Sequence, residues 1–287
     1  MSILLLINDI LNETATNSII EKNTMPFELK PRVKFHKNQL IEVVCQLTYV
    51  SPILGMDDSS RFVELHDKIK DRFPLFKKAK SVSLHVQTEN QAVEKIEKPL
   101  YEFSSMDEQT KITVDSEGFS CVTTNYVSKE AFFDNMSLIY NSLNELKFIT
   151  VPFKRIGLRY KNIIQKSVLG EDIVKASWSD LLKNTLTSIF SENDFSDNVI
   201  GTQSNVVINL NDIGENARMN ANYGIVTHAQ TGEECFIIDS DFYIEGVINY
   251  DTATQFLADA NVKSRNFFQW CIHPRLYEAL KPERIGK

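Results

Sequence analysis

At 287 residues, 43% hydrophobic and 24% charged, the chain is long enough for about two ordinary domains and can bury a core without disulfide or metal staples. A net charge of −7 excludes the global basic footprint that duplex-binding proteins use to displace counterions. The four cysteines, Cys45, Cys121, Cys235 and Cys271, form no CxxC pair; this excludes a zinc knuckle or redox dithiol and marks them as buried thiols in a reducing compartment.

Residues 2–7 are apolar, but no basic residue precedes them and Asn8-Asp9 ends the run, so neither a membrane span nor a secretory signal is expected. Residues 1–24 read as a tail, with Met25-Pro26-Phe27 at the start of the ordered protein. No later window is apolar for long enough to cross a membrane, and a cytoplasmic protein is expected.

The first element is the run 40–49, β-branched and nearly continuous in its apolar character, as a central strand requires. Ser51-Pro52 stops it, and Asp57-Asp58-Ser59 offers caps to a helix with Phe62, Leu65, Ile69 and Phe73 on one face. Strands are expected over 82–87, 100–104, 111–115 and 119–126, with Glu117-Gly118 as a turn. Ser128 then caps a helix carrying Phe132, Met136, Ile139, Tyr140, Leu143 and Leu146.

A joint falls at 148–152, and the order begins again. The stretch 153–164 reads as a strand, and Ser177-Trp-Ser-Asp180 as a capping box opening a helix with Trp178, Leu181, Leu182, Leu186 and Ile189 inward. Strands over 199–211, 218–229 and 235–247 follow, the last two joined by a Thr231-Gly232 turn. Asp251 is the expected cap of a final helix with Phe256, Leu257, Ala260, Ser264, Phe267, Phe268 and Cys271 on one stripe, and 275–280 forms a short helical tail. Trp270 falls off that stripe, to pack under the tail or anchor an interface.

Strand runs paired with long helices predict an α+β fold, with an antiparallel sheet covered by helices on one face. Residues 25–150 and 151–287 form two pseudo-repeated halves, separate or joined edge to edge in one domain. Their element order resembles the duplicated saddle of the TATA-binding-protein fold, a likeness of order that carries no function.

Strand alternation assigns the faces. In 153–164, Ile156, Leu158 and Tyr160 point one way, and Arg155, Gly157, Arg159 and Lys161 the other. In 235–247, Phe236, Ile238, Phe242 and Ile244 face the core, while Asp239, Asp241 and Glu245 share the opposite face. In 218–229, Arg218, Asn220 and Asn222 do likewise. The uncovered face thus carries a basic row, an acidic row and a strip of amides. Arg155 and Arg159 suit a carboxylate or phosphate, and Asp239 and Asp241 a metal ion or a carboxylate pair. The simpler reading is cross-strand charge pairing on a solvated face, at roughly 0.2–1 kcal/mol per pair.

Other chemistry has no signature. The five histidines show no HxH, HxxxH or HExxH spacing, and no phosphate-cradling glycine loop, nucleophile elbow or kinase set occurs. No cofactor is expected.

Three segments, Leu40-Ile-Glu-Val-Val-Cys-Gln-Leu47, Arg155-Ile-Gly-Leu-Arg-Tyr-Lys-Asn162 and Asp239-Ser-Asp241, together resemble a sporadically distributed bacterial family of unknown function, over about residues 25–287. The Arg-x-Gly-Leu-Arg-Tyr-x-Asn strand is the most specific part. The resemblance implies bacterial origin and mobile or defence-associated loci, supplies no catalytic residue, and directs attention to Arg155, Arg159, Asn162, Asp239 and Asp241. The expected function is a non-enzymatic partner-binding or accessory protein, antitoxin-like, acting on a neighbouring gene product or as a homodimer. The alternatives are a metal-dependent enzyme for a phosphate-containing or nucleotide substrate, and nucleic-acid binding by the open sheet face, which the net acidity disfavours. Candidate binding residues are Arg155, Arg159, Lys161, Asn162, Asp239, Asp241 and Glu245.

Overall fold

The structure, a computed structural model, describes residues 26–56, 58–86, 93–191 and 198–285; Asp57 and the expected tail 1–24 lie outside it, and so do the side chains of 81–86, 93–96 and Ser191. The first half runs β1 (Val33–Phe35), β2 (Leu40–Tyr49), α1 (Ser60–Ile69), β3 (Leu75–Val86), β4 (Val93–Ser104), β5 (Thr110–Val114), β6 (Gly118–Thr123) and α2 (Lys129–Glu145). The second runs β7 (Phe153–Ile164), α3 (Glu171–Val174), α4 (Trp178–Leu181), α5 (Asn184–Thr187), β8 (Ser204–Asn209), β9 (Arg218–Thr227), β10 (Glu234–Ile248), α6 (Tyr250–Cys271), α7 (Pro274–Ala279) and β11 (Pro282–Arg284).

The fold is α+β. Among the described residues, nine strands form one antiparallel sheet in the order β3-β4-β5-β6-β2-β7-β10-β9-β8. Its central pair, β2 and β7, comes from opposite sides of the joint, so the two halves share one sheet. A separate ribbon of β1 and β11 ties the start of the described chain to its end. In β2 the buried set Val43, Cys45, Leu47 and Tyr49 alternates with Glu42, Val44, Gln46 and Thr48. One side of the sheet centre is therefore core and the other polar. Helix α6 packs on β7 and β10, and α2 packs on β6 and α1. Phe62 of α1 stacks on the buried Tyr101 of β4. Burial pushes all four cysteine thiols up, Cys121 to about 12, as structural thiols require.

Several elements differ from expectation for visible reasons. Strand β3 begins at Leu75, seven residues before the expected start at Val82, because it is an edge strand. Its Lys77, Lys78 and Lys80 are edge-protecting residues that hide the strand pattern. The capping box at Ser177 forms, but the helix stops at Leu181. Leu182 turns extended to bridge Ile272, and Lys183 N–H donates to the Cys271 carbonyl at 2.8 Å, so the chain restarts as α5. Ile189 consequently lies outside the core, 39% exposed. The cap of α6 is Asn249, whose Oδ1 accepts from Thr252 N–H at 2.8 Å, in place of Asp251. Trp270 packs on the rings of Phe27 and Phe267, with centroids 5.5 and 6.1 Å away. Among the described residues no helix is long and apolar enough to cross a membrane.

Candidate functional site

The charged rows expected on β7 and β10 are direct neighbours. Register sets Asp241 opposite Arg159, Asp239 opposite Lys161 and Glu245 opposite Arg155. The side chains pair diagonally instead. Arg159 forks onto Asp239, with Nε–Oδ1 at 2.7 Å and Nη2–Oδ2 at 2.5 Å, and the Asp239 side chain is only 8% exposed. This bond holds the Arg159 guanidinium further above its ordinary pKa. Arg155 donates from Nη2 to Asp241 Oδ2 at 2.6 Å and lies 4.8 Å over the Tyr243 ring. It reaches that carboxylate across Gly157, where any Cβ would stand 2.6 Å from Arg155 Nη1.

The remaining members of this face add little free charge. Glu245 is exposed, with Arg218 Nη1 3.9 Å away. Lys161 meets no carboxylate among the described residues, although Glu42 and Asp239 flank it in register. Asn205 of β8 donates to the side-chain oxygens of both Asn220 and Asn222, at 2.5 and 2.7 Å, closing the amide strip on itself. Both arginine forks are thus engaged by aspartates. Among the described residues, no group of three or more His, Cys, Asp or Glu side chains could hold a metal ion.

Asn162 belongs elsewhere. It follows Ile156, Leu158 and Tyr160 in the alternation of β7 and points to the side of the sheet that α6 covers, away from the arginines. There it lines a cavity of about 570 Å³ between the segment 32–40, the start of α2, strands β7 and β10, and α6. The sequence creates this space by breaking two core patterns. Asn162 interrupts the apolar set of β7, and Ser240 stands where Phe236, Ile238, Phe242 and Ile244 of β10 call for a large side chain. Register places Asn162 beside Ile238, and Ser240 beside Tyr160, so the two small polar positions are diagonal neighbours and the sheet-to-helix gap stays unfilled.

A hydrogen-bonded group crosses the cavity floor. Asn261 of α6 donates to Tyr160 Oη at 2.6 Å and to Tyr126 Oη at 3.4 Å. Burial raises both phenol pKa values. Ser240 and Ser264 donate to backbone carbonyls, of Tyr160 at 3.4 Å and Asn261 at 2.9 Å. Two lining groups have no protein side-chain partner among the described residues. The Asn162 amide makes no side-chain hydrogen bond among the described residues, and Arg265 Nε is sealed from solvent with no partner. Burial lowers the Arg265 pKa and the charge of Arg32 lowers it further. No aspartate or glutamate is among the cavity-lining residues.

No family model matches the chain, and no curated protein is significantly similar to it in sequence. Of the expected site residues, the structure joins Arg155, Arg159, Asp239 and Asp241 in one ion-pair cluster, leaves Lys161 and Glu245 at its margins, and sends Asn162 to the cavity. Ser240, Asn261 and Arg265 were not singled out from the sequence, and Ser264 entered only as a member of the helix stripe. A polar residue inside an otherwise apolar alternation was the available signal for Ser240. Nothing in the sequence marks Arg265.

Proposed function

We propose that this chain is a non-enzymatic binding protein and that its binding site is the cavity between the 32–40 segment and α6. The observation that carries this reading is the cavity lined by the Asn162 amide, which no described side chain engages, and by Arg265, which forms no ion pair among the described residues. A largely preformed space of this size with a few converging polar groups is the ordinary form of a small-ligand site. The lining supplies no carboxylate, and its inner serines are engaged by backbone carbonyls, so it offers recognition without an activated nucleophile or a carboxylate base. A phosphate-processing enzyme on the open face would need a free arginine clamp and free carboxylates; there each group already holds its partner. A protein partner on that face would be read through shape and amides, and nucleic acid finds both arginines neutralised.

Two further readings belong to the proposal. The two halves are a duplicated unit with its helices on one face, a reading supported by the strand order: β2 and β7 pair at the centre, and β6 and β10, the last strand that each half gives to the large sheet, flank them. Placement among bacterial, defence-associated accessory factors rests on the family resemblance alone.

A thermal-shift screen of small organic molecules against the wild type and the cavity-plugging Asn162→Phe variant tests the assignment. Compounds that raise the wild-type melting temperature by about 2 °C or more should leave the plugged variant unmoved. Ligands that stabilise both proteins equally would move the binding site elsewhere.

A further inference from the structure

The electrostatics of the cavity define what it takes. The chain has 38 acidic side chains against 31 basic ones, yet the lining holds Arg32, Lys34, Lys129 and Arg265 with no carboxylate among them. Of the two lining arginines, Arg32 is matched from outside the cavity. Arg32 donates to Glu130 at 2.8 and 3.0 Å, and His36 lies 2.9 Å from Glu283. Arg265 is different: it is half-buried, forms no ion pair among the described residues, and keeps a sealed Nε without an acceptor. A half-buried guanidinium with no counter-charge, and with Arg32 nearby, carries a desolvation cost that an anion on its accessible Nη edge relieves. Phe35, Phe267 and Phe268 supply apolar wall, and the amide of Asn162 supplies an NH2 with two donor hydrogens and a carbonyl acceptor.

We propose that the cavity binds a small organic anion, a carboxylate or phosphate monoester, with its charged group on Arg265 and its uncharged body along the aromatic wall towards Asn162. This rests on reading the cavity as the binding site. The guanidinium fork matches two oxygens of either group, so the two chemistries share one recognition element. Lys129 and Lys34 at the rim add attraction at longer range, which salt screens.

The test uses the full chain and three probes of one shape: phenyl phosphate, benzoate and the neutral benzyl alcohol, followed by saturation-transfer NMR and thermal shift. Phenyl phosphate or benzoate should bind, benzyl alcohol should not, and Arg265→Gln should weaken the anion by about tenfold or more. Arg265→Lys should keep part of the affinity, and Asn162→Leu should weaken binding without abolishing it. Raising potassium chloride should weaken the anion on the wild type, a readout that stands even if Arg265→Gln fails to fold. Wild-type affinity in a folded Arg265→Gln protein would overturn the proposal. Equal, salt-independent binding of all three probes, lost in Asn162→Phe, would overturn the anion assignment and keep the cavity as a binding site. Binding of none would overturn both.

Discussion

Arg155 reaches Asp241 by lying over Gly157. The two residues are not register partners: Arg155 stands opposite Glu245, and the guanidinium travels along β7 to a carboxylate four residues away on β10. The missing Cβ of Gly157 leaves the path open, and the ring of Tyr243, directly opposite that glycine, forms the other wall. An arginine, a glycine, a tyrosine and an aspartate thus make one unit from two strands.

Gly157→Ala should cost about 0.5–1 kcal/mol by displacing that guanidinium, whose side chain and that of Asp241 are 27% and 28% exposed. In an Arg155→Ala background the same change should be neutral or stabilising, because alanine suits an extended strand better than glycine. Urea unfolding of the four proteins in the cycle measures the coupling, and an equal cost in both backgrounds would separate the glycine from the pair.

Arg159→Met should destabilise by about 2 kcal/mol. It strands the nearly buried Asp239, although the 43% exposure of the arginine side chain moderates the loss. Adding Asp239→Leu should recover most of that loss, since removing both charges removes the unpaired one. Chemical denaturation of the single and double variants decides it; no recovery would mean that the pair contributes more than its own charge balance.

Asp115 accepts from the backbone N–H groups of Glu117 and Gly118 at 2.7 and 3.0 Å, yet burial outweighs those bonds and pushes its carboxyl above the ordinary range, Glu117 adding to the rise and Lys98 opposing it. A carboxyl raised in the folded state binds more protons there than in the unfolded chain, so this group favours folding as pH falls between its unfolded and its raised native value. Above that interval its ionised form is a standing cost. Asp115→Asn should therefore be neutral or stabilising near pH 7 and should flatten this part of the stability profile, as read by urea unfolding from about pH 4 to pH 8.

Asn249→Ala should cost about 1 kcal/mol, and about 2–3 °C in melting temperature, by removing the hydrogen bond to Thr252 N–H at the start of the 22-residue helix α6. Asp251→Ala should cost less, because it does not cap. Calorimetry of the two variants ranks them, and the reverse order would restore Asp251 as the effective start.

Local rules carried the sequence far where one element sufficed. The strand Phe153–Ile164 has the expected bounds, Ser128 caps α2 through Ala131 N–H, and the Ser177 box forms. They failed where a distant segment intervened. Leu182 leaves its helix because Ile272 offers a bridge, and β3 is masked by the lysines of a sheet edge.

By itself the sequence determined which residues share a face, since alternation is a property of the backbone: Arg155, Arg159, Asp239 and Asp241 together, and Asn162 with the core set of β7. Only tertiary structure decided what those faces meet. Charge neutralisation needed β7 and β10 in one register, which long-range pairing selects. The cavity needed Ser240 and Asn162 as diagonal neighbours under α6, with Arg265, more than a hundred residues from Asn162, brought to a place where no described carboxylate follows it.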